Sequence, residues 1–538
     1  MKKILFLFLI ILSSQSIAQL KFMERHEQLT QAFDPIFEIM RLPDGLVSFR
    51  TFQSTNQNSE RVFQYFKTDL NFKSGEVIEV KLKNGFEMIG YDTDDFFLYV
   101  LLSKGFTSGA EKYILEINLK ADIGIEYLAG NLLPMELVEF LVLDGKAVFM
   151  GNSDAKPVIQ IFTIKEKTIQ TVQGIYGNNT QVLQIRKLKE LEGLEVVVSR
   201  KGQFKSRETS ILTFDLLGNL VREVKIDRLS DQGNEILEGL LLSDKNYQQV
   251  MFGAFGLPSR NYYQGMYMME INEFGEYEAK LYTLEDFPNF YNYLPEKRKA
   301  KQDELVVKDL EKGKIPWIRN RYSIRDVRET DDAYYVYFDQ YSISTSRGPG
   351  RVAPLSPLNT YRYDRMSRMG YAPFFMDPFL SPYVPVQSYS IYSEYQYQSA
   401  HFVKVAKTGQ VIWDNSSTYG GFNTAYPEPF GEIAVVGNDL FHLYVVNDQI
   451  KLSFFRNGEK IVENQTIDLE LPNDKERVSA TDFETLRLVH WFDRYFLLSG
   501  KQTIRYMSAQ NREELKEVFF ISKILVDGDL YKKPEVPE

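Results

Sequence analysis

Residues able to do chemistry are thinly spread along this chain. It carries four histidines and no cysteine, so thiolate metal sites and disulfides are both excluded. His26-Glu27-Gln28-Leu29-Thr30 opens like the zinc-protease motif HExxH, but Thr30 stands where the second histidine is required. His442 and His490 lie in apolar strand contexts, which suit a hydrogen-bonded interior imidazole better than a metal ligand. Gly105 to Gly109 places Thr107 where a hydrolase elbow carries its serine. Ser153-Asp-Ala-Lys156 matches S-x-x-K, a pattern short enough to arise by chance, inside an expected turn. No Walker-type or dinucleotide glycine fingerprint occurs, so no cofactor is expected. Asp92-Thr-Asp-Asp95 and Asp331-Asp332 offer the hard oxygens that calcium favours, but neither fits the twelve-residue calcium loop. Both fall at hairpin tips, where Asp serves local backbone hydrogen bonds, so no metal is expected. A glycosidase would need two carboxyls about 5 to 9.5 Å apart, and 73 acidic residues spread over the chain single out no pair.

One anomaly is electrostatic. Arg319, Arg321, Arg325, Arg328, Arg347, Arg351, Arg362, Arg365 and Arg368 crowd a short span of a chain whose net charge is −10. Tyr361, Tyr363, Tyr371, Tyr389, Tyr392, Tyr395 and Tyr397 accompany or follow them. Guanidinium forks bind carboxylates and phosphates and stack on aromatic faces. The candidate binding residues are therefore Arg347, Arg351, Tyr361, Arg362, Tyr363, Arg365 and Arg368. They suit an anionic glycan, an acidic peptide or another envelope protein. The competing reading pairs these arginines with acids on neighbouring sheets while the tyrosines pack between them. Nucleic acid is not an expected partner of so acidic a chain.

The elements that must position these residues read as strands. From about Phe33 onward, alternating apolar strands and turns recur. Ile211 to Ile226 turns at Gly218-Asn219, with Leu212, Phe214 and Leu216 on one face. Met268 to Leu281 turns at Gly275, His401 to Trp413 at Thr408-Gly409, and Leu452 to Val462 at Asn457-Gly458. A second kind of hairpin has an acidic or glycine tip followed by an unbroken apolar run, as in Asp92 to Leu102, Val142 to Met150 and Val436 to Val445. Such runs fit strands buried on both faces. Hairpin pairs begin near residues 38, 86, 136, 180, 236, 321, 388, 432 and 485, a spacing close to the roughly 40 to 50 residues of propeller blades. The expected fold is all-β, a single β-propeller of about seven to nine four-stranded blades. Packed β-sandwiches are the alternative.

Within residues 19–530, two stretches break the period. Residues 285–319 hold a helical insertion opened by Pro295. Residues 342–397 form a long excursion rich in Arg, Pro and Tyr. The tail, 531–538, is expected to be disordered. At the other end, Lys2 and Lys3 precede an apolar run from Ile4 to Leu12, and small residues lead to a cut after Ala18. Residues 1–18 thus have the layout of a signal peptide, and the run is shorter than the roughly 20 residues a membrane span needs. The mature chain is expected in the periplasm or on the cell surface, without a lipid anchor or a transmembrane segment.

Phe290 to Lys312, Arg321 to Tyr341, the aromatic loop and Ala400 to Trp413 together resemble uncharacterised exported proteins of Bacteroidota. Those place a charged helix before an "rDv…tdD" strand, then a Tyr-rich loop and a "vvKi…G.i.W" hairpin. The resemblance spans about residues 285–445 and implies a propeller-like fold and a periplasmic or surface location. It carries no catalytic residues across, and the excursion here is longer than the pattern. The expected function is an exported, non-enzymatic binding or scaffold propeller of the cell envelope. The alternatives are a propeller-fold polysaccharide lyase or hydrolase and a purely structural envelope component.

Overall fold

The computed structural model describes residues 20–31, 33–53, 60–105, 107–178, 180–201, 207–226, 229, 234–243, 247–257, 262–347, 374–375, 391–424, 431–473 and 475–530. Residues 1–18, expected to be a signal peptide, and the tail 531–538 lie outside these residues. The described strands form eight antiparallel sheets, the blades of a β-propeller. Their first strands begin at Glu38, Glu87, Glu136, Thr180, Glu235, Arg321, Gly431 and Arg477. The hairpin expected near 388 is not a ninth blade. It is the second half of blade six, whose strands are Arg321–Glu329, Ala333–Arg347, Ile391–Ala406 and Val411–Thr424.

The chain divides into two compact units. The larger, Phe37–Pro429, holds blades one to six. The other, Met1–Ile36 with Phe430–Glu538, holds blades seven and eight. In blade eight the fourth strand is Leu20–Leu29, which pairs with Glu513–Val526 from the far end of the sequence. Because the chain has no cysteine, this backbone pairing does the work of joining its ends.

Inside the larger unit the non-alternating runs are explained by burial on both faces. Phe97–Ser103 is buried at every residue after Phe97. Between blades five and six, Leu240, Phe252, Met266 and Met268 meet Tyr322, Ile324, Phe338 and Val403. Each such side chain contributes about 1.5 to 3 kcal/mol on burial. Packing there is tight enough to require glycine: a Cβ at Gly253 would sit 1.9 Å from the Glu238 carbonyl oxygen.

A repeat invisible in composition joins these blades. The first strands of blades two to six each carry a bulge, at Met88/Gly90, Leu137/Glu139, Val182/Gln184, Ile236/Glu238 and Ile324/Asp326. A bulge adds one residue and re-aims the side chains beyond it. First-strand carboxylates reach into the following blades. Asp92 Oδ2 accepts the Val142 N–H at 2.6 Å and Lys187 Nζ at 2.9 Å. A Glu238 oxygen accepts the Ile324 N–H at 3.0 Å.

The two interruptions have distinct structures. Helix α1, Glu296–Leu310, starts after Pro295, carries Glu296 in its first turn and Lys308 in its last, and buries no residue. Both charges complement the helix dipole. The excursion is shorter than the sequence suggests. Residues 342–347 pair with 391–397 as an extended ribbon of blade six, and Phe374–Phe375 returns to pair with Glu238 and Gly239 as a fifth strand of blade five. No helix among the described residues is long and apolar enough to cross a membrane.

Candidate functional site

The segment that follows blade five builds the site. After its last strand, Tyr277–Thr283, the chain runs through residues 284–295 along the outer strand of blade six before entering α1. Three consecutive residues of that strand, Asp414, Asn415 and Ser416, supply the anchors. Asp414 and Ser416 point from the same face of Val411–Thr424. The Asn289 N–H donates to Asp414 Oδ2 at 3.0 Å and to Oδ1 at 3.2 Å, and Asn289 Nδ2 adds a bond at 3.3 Å. Asn292 Nδ2 donates to Asn415 Oδ1 at 3.1 Å, and the Tyr293 N–H to Ser416 Oγ at 3.1 Å. Beneath them His401 stacks on Phe290 at 4.1 Å and shares a hydrogen bond with Ser399. Burial pushes His401 down to about 3, so the ring is neutral.

Where this segment parts from the sheet, an open cleft of about 510 Å³ remains. One wall is Tyr282, Asp286, Pro288 and Asn289, and the other is the hairpin from Gly409 to Asp414. Thr408-Gly409 is the expected turn, and Gly409 is needed twice over. Its φ is +80°, and a Cβ there would strike the Lys280 side chain. The Tyr282 hydroxyl and Lys280 Nζ donate to the Gly409 and Thr408 carbonyls, both at 2.6 Å, and hold the walls at a fixed spacing. Asp286, Pro288, Gln410 and Ile412 are exposed at the mouth. Asp414 lies at the back, where burial pushes it up to about 6 against the pull of the Asn289 donors. The Trp413 ring meets Tyr335 edge-on at 5.9 Å, on the face that also carries Lys404.

A second polar cluster is sealed. Glu238 accepts from the Tyr263 hydroxyl at 2.6 Å and Ser323 Oγ at 3.0 Å, besides Ile324 N–H. Burial pushes it up to about 7, opposed by Tyr263, Arg325, Ser323 and Arg321. Nearby, Arg325 Nε donates to Asp339 Oδ2 at 2.7 Å, and Asp339 Oδ1 accepts from Tyr337 at 2.9 Å and Tyr419 at 2.5 Å. Burial works against the Arg325 charge, but Tyr397, Asp339 and the other tyrosines outweigh it and hold the guanidinium above its usual range. Glu238 is 0% exposed and Arg325 2%.

The sequence candidates fare unevenly. Arg351, Tyr361, Arg362, Tyr363, Arg365 and Arg368 lie outside the described residues, as does the side chain of Arg347 at the end of its strand. Of their neighbours, Arg325 is an interior ion-pair residue and Arg328 pairs with Asp326 at 2.7 Å, while Tyr395 and Tyr397 are buried beside Tyr341. These two arginines are held by acids, but within blade six and not on neighbouring sheets as the competing reading expects. Ser153 to Lys156 is a turn, with φ positive at Asp154 and Ala155. His490 Nε2 is hydrogen-bonded to the Asp493 carbonyl at 2.9 Å, and among the described residues no group of three or more His, Asp or Glu could hold a metal. Asp286, Pro288, Asn289, Gln410, Ile412 and Asp414 carried no signal, because Asn289 and Asp414 are 125 residues apart in sequence.

Neither a protein-family model nor a curated protein matches the chain. Solved structures match it distantly. The β-propeller domain of the Trilobed protease from Pyrococcus furiosus is 9% identical over 84% of this chain and 100% of that one, with a TM-score of 0.32. The polysaccharide lyase Uly1 is 9% identical over 82% and 90%, with a TM-score of 0.36. A eukaryotic initiation factor is 8% identical over 92% of each chain, also at 0.36.

Proposed function

We propose that this chain is an exported, non-enzymatic binding propeller of the bacterial cell envelope, and that its ligand docks in the cleft between blades five and six. The observation that carries the reading is the cleft itself, whose about 510 Å³ falls within the range of small-molecule sites, about 300 to 1,000 Å³. Its walls are held apart by hydrogen bonds from Tyr282 and Lys280, so little ordering is required on binding. Asp414 already accepts from Asn289, which makes it a brace for the wall and not a free acid. The N-terminal layout of residues 1–18 supports export. A cleavage function would need an acid and a base open to substrate. The Glu238–Tyr263 pair has suitable groups but is closed to solvent, at 0% and 4% exposure.

Ile412→Arg tests the proposal, because a long charged side chain at an exposed position obstructs the mouth without disturbing the core. Wild-type protein is expected to cosediment with envelope polysaccharide, and the variant to bind at least about tenfold more weakly. Equal retention of both refutes the cleft as the site.

A further inference from the structure

Resting on the cleft as the binding site, we infer that its ligand is a neutral, hydroxyl-rich saccharide and not the anionic ligand that the arginine-rich excursion suits. The charge at the mouth is the first reason. Asp286 is exposed there and Asp414 lies behind it. Among the described residues no lysine or arginine lines the cleft; Lys280 Nζ is bonded to the Thr408 carbonyl at 2.6 Å, and Lys299 pairs with Asp303 at 2.8 Å. Asp286 takes part in no ion pair among the described residues, so a uronate or phosphate would meet its negative charge at the mouth. The second reason is the hydrogen-bonding inventory. Asp286 Oδ2 accepts the Thr283 N–H at 2.8 Å, and a carboxylate has about four acceptor positions, so most of its capacity faces outward. Across the mouth, the Gln410 amide supplies both donor and acceptor. A carboxylate that accepts from hydroxyls, beside an amide that reads them in either sense, matches a polyol. The third reason is the apolar pair. Pro288 and Ile412, the latter 50% exposed, offer carbon surface to the C–H face of a sugar ring. A cationic peptide would satisfy Asp286 but leave the Gln410 amide and this apolar pair without a purpose.

The test is calorimetric titration of the full-length protein with xylopentaose, cellopentaose, trigalacturonate and a lysine-rich pentapeptide. A neutral oligosaccharide is expected to bind, with trigalacturonate at least about tenfold weaker. Asp286→Ala and Gln410→Ala should each weaken the neutral sugar by at least about tenfold while leaving the thermal midpoint unchanged. Equal or tighter binding of trigalacturonate overturns the assignment of ligand class. So does binding of the peptide alone with steep salt dependence, and so does failure of both neutral sugars to bind. If a ligand of any class binds but Asp286→Ala, Gln410→Ala and Ile412→Arg leave its affinity unchanged, the cleft itself is overturned.

Discussion

Glu238 links the stability of this protein to pH in a direction that can be worked out from its surroundings. Its carboxyl is fully buried and moves from 4.5 in the open chain to about 7 in the fold, chiefly through burial. Each pKa unit is worth about 1.4 kcal/mol, so this shift corresponds to about 3 kcal/mol. A raised carboxyl favours its protonated form in the folded state. The contribution is therefore complete below about pH 4.5 and is lost as pH rises through about 7. Glu238→Gln mimics the protonated carboxyl and removes the titration. Urea unfolding at pH 5 and pH 8 reads the difference, and comparison with wild type cancels the other titrating groups. Asp414, also raised, and His401 and His442, both lowered by burial, are among them. The variant is expected to lie within about 1 kcal/mol of wild type at pH 5 and to exceed it by about 3 kcal/mol at pH 8. A gap between the two proteins that does not change from pH 5 to pH 8 would refute the reasoning.

Two further outcomes follow from the buried ion pair and the N-terminus. Asp339→Asn leaves the Arg325 guanidinium interior without its counter-charge and should cost about 3 to 5 kcal/mol, read as a lower urea midpoint; a loss below about 1 kcal/mol, the size expected of an exposed pair, would contradict that assignment. Expressed in a secreting bacterium, the protein should begin at Gln19 by intact mass, whereas a retained Met1 would show that residues 1–18 are not a cleaved leader.

How much of this could be read from the residues depended on how local the cause was. Turns written as Thr408-Gly409 and Asn457-Gly458 appear where expected, the latter with φ of +51° and +83°, because two residues decide their geometry. The unbroken apolar runs correctly announced strands buried on both faces. The blade count was less legible, since the hairpin near 388 is separated from its own first two strands by the excursion and so resembles a fresh start. The first-strand bulges were hidden, because one inserted residue changes register without changing composition. Arg325 was noticed for its charge, but its role is set by Asp339 across the hairpin and by Tyr397 and Tyr419 on later strands. The cleft was the least legible feature. It exists only because residues 284–289 and 409–414 are brought together by two adjacent blades.

Hydrogen–deuterium exchange, with and without a bound neutral oligosaccharide, tests the central claim most directly. Slower exchange is expected in residues 284–289 and 408–414, with the remaining described strands unchanged. Protection confined to other segments, with these two unaffected, would contradict the placement of the ligand between blades five and six.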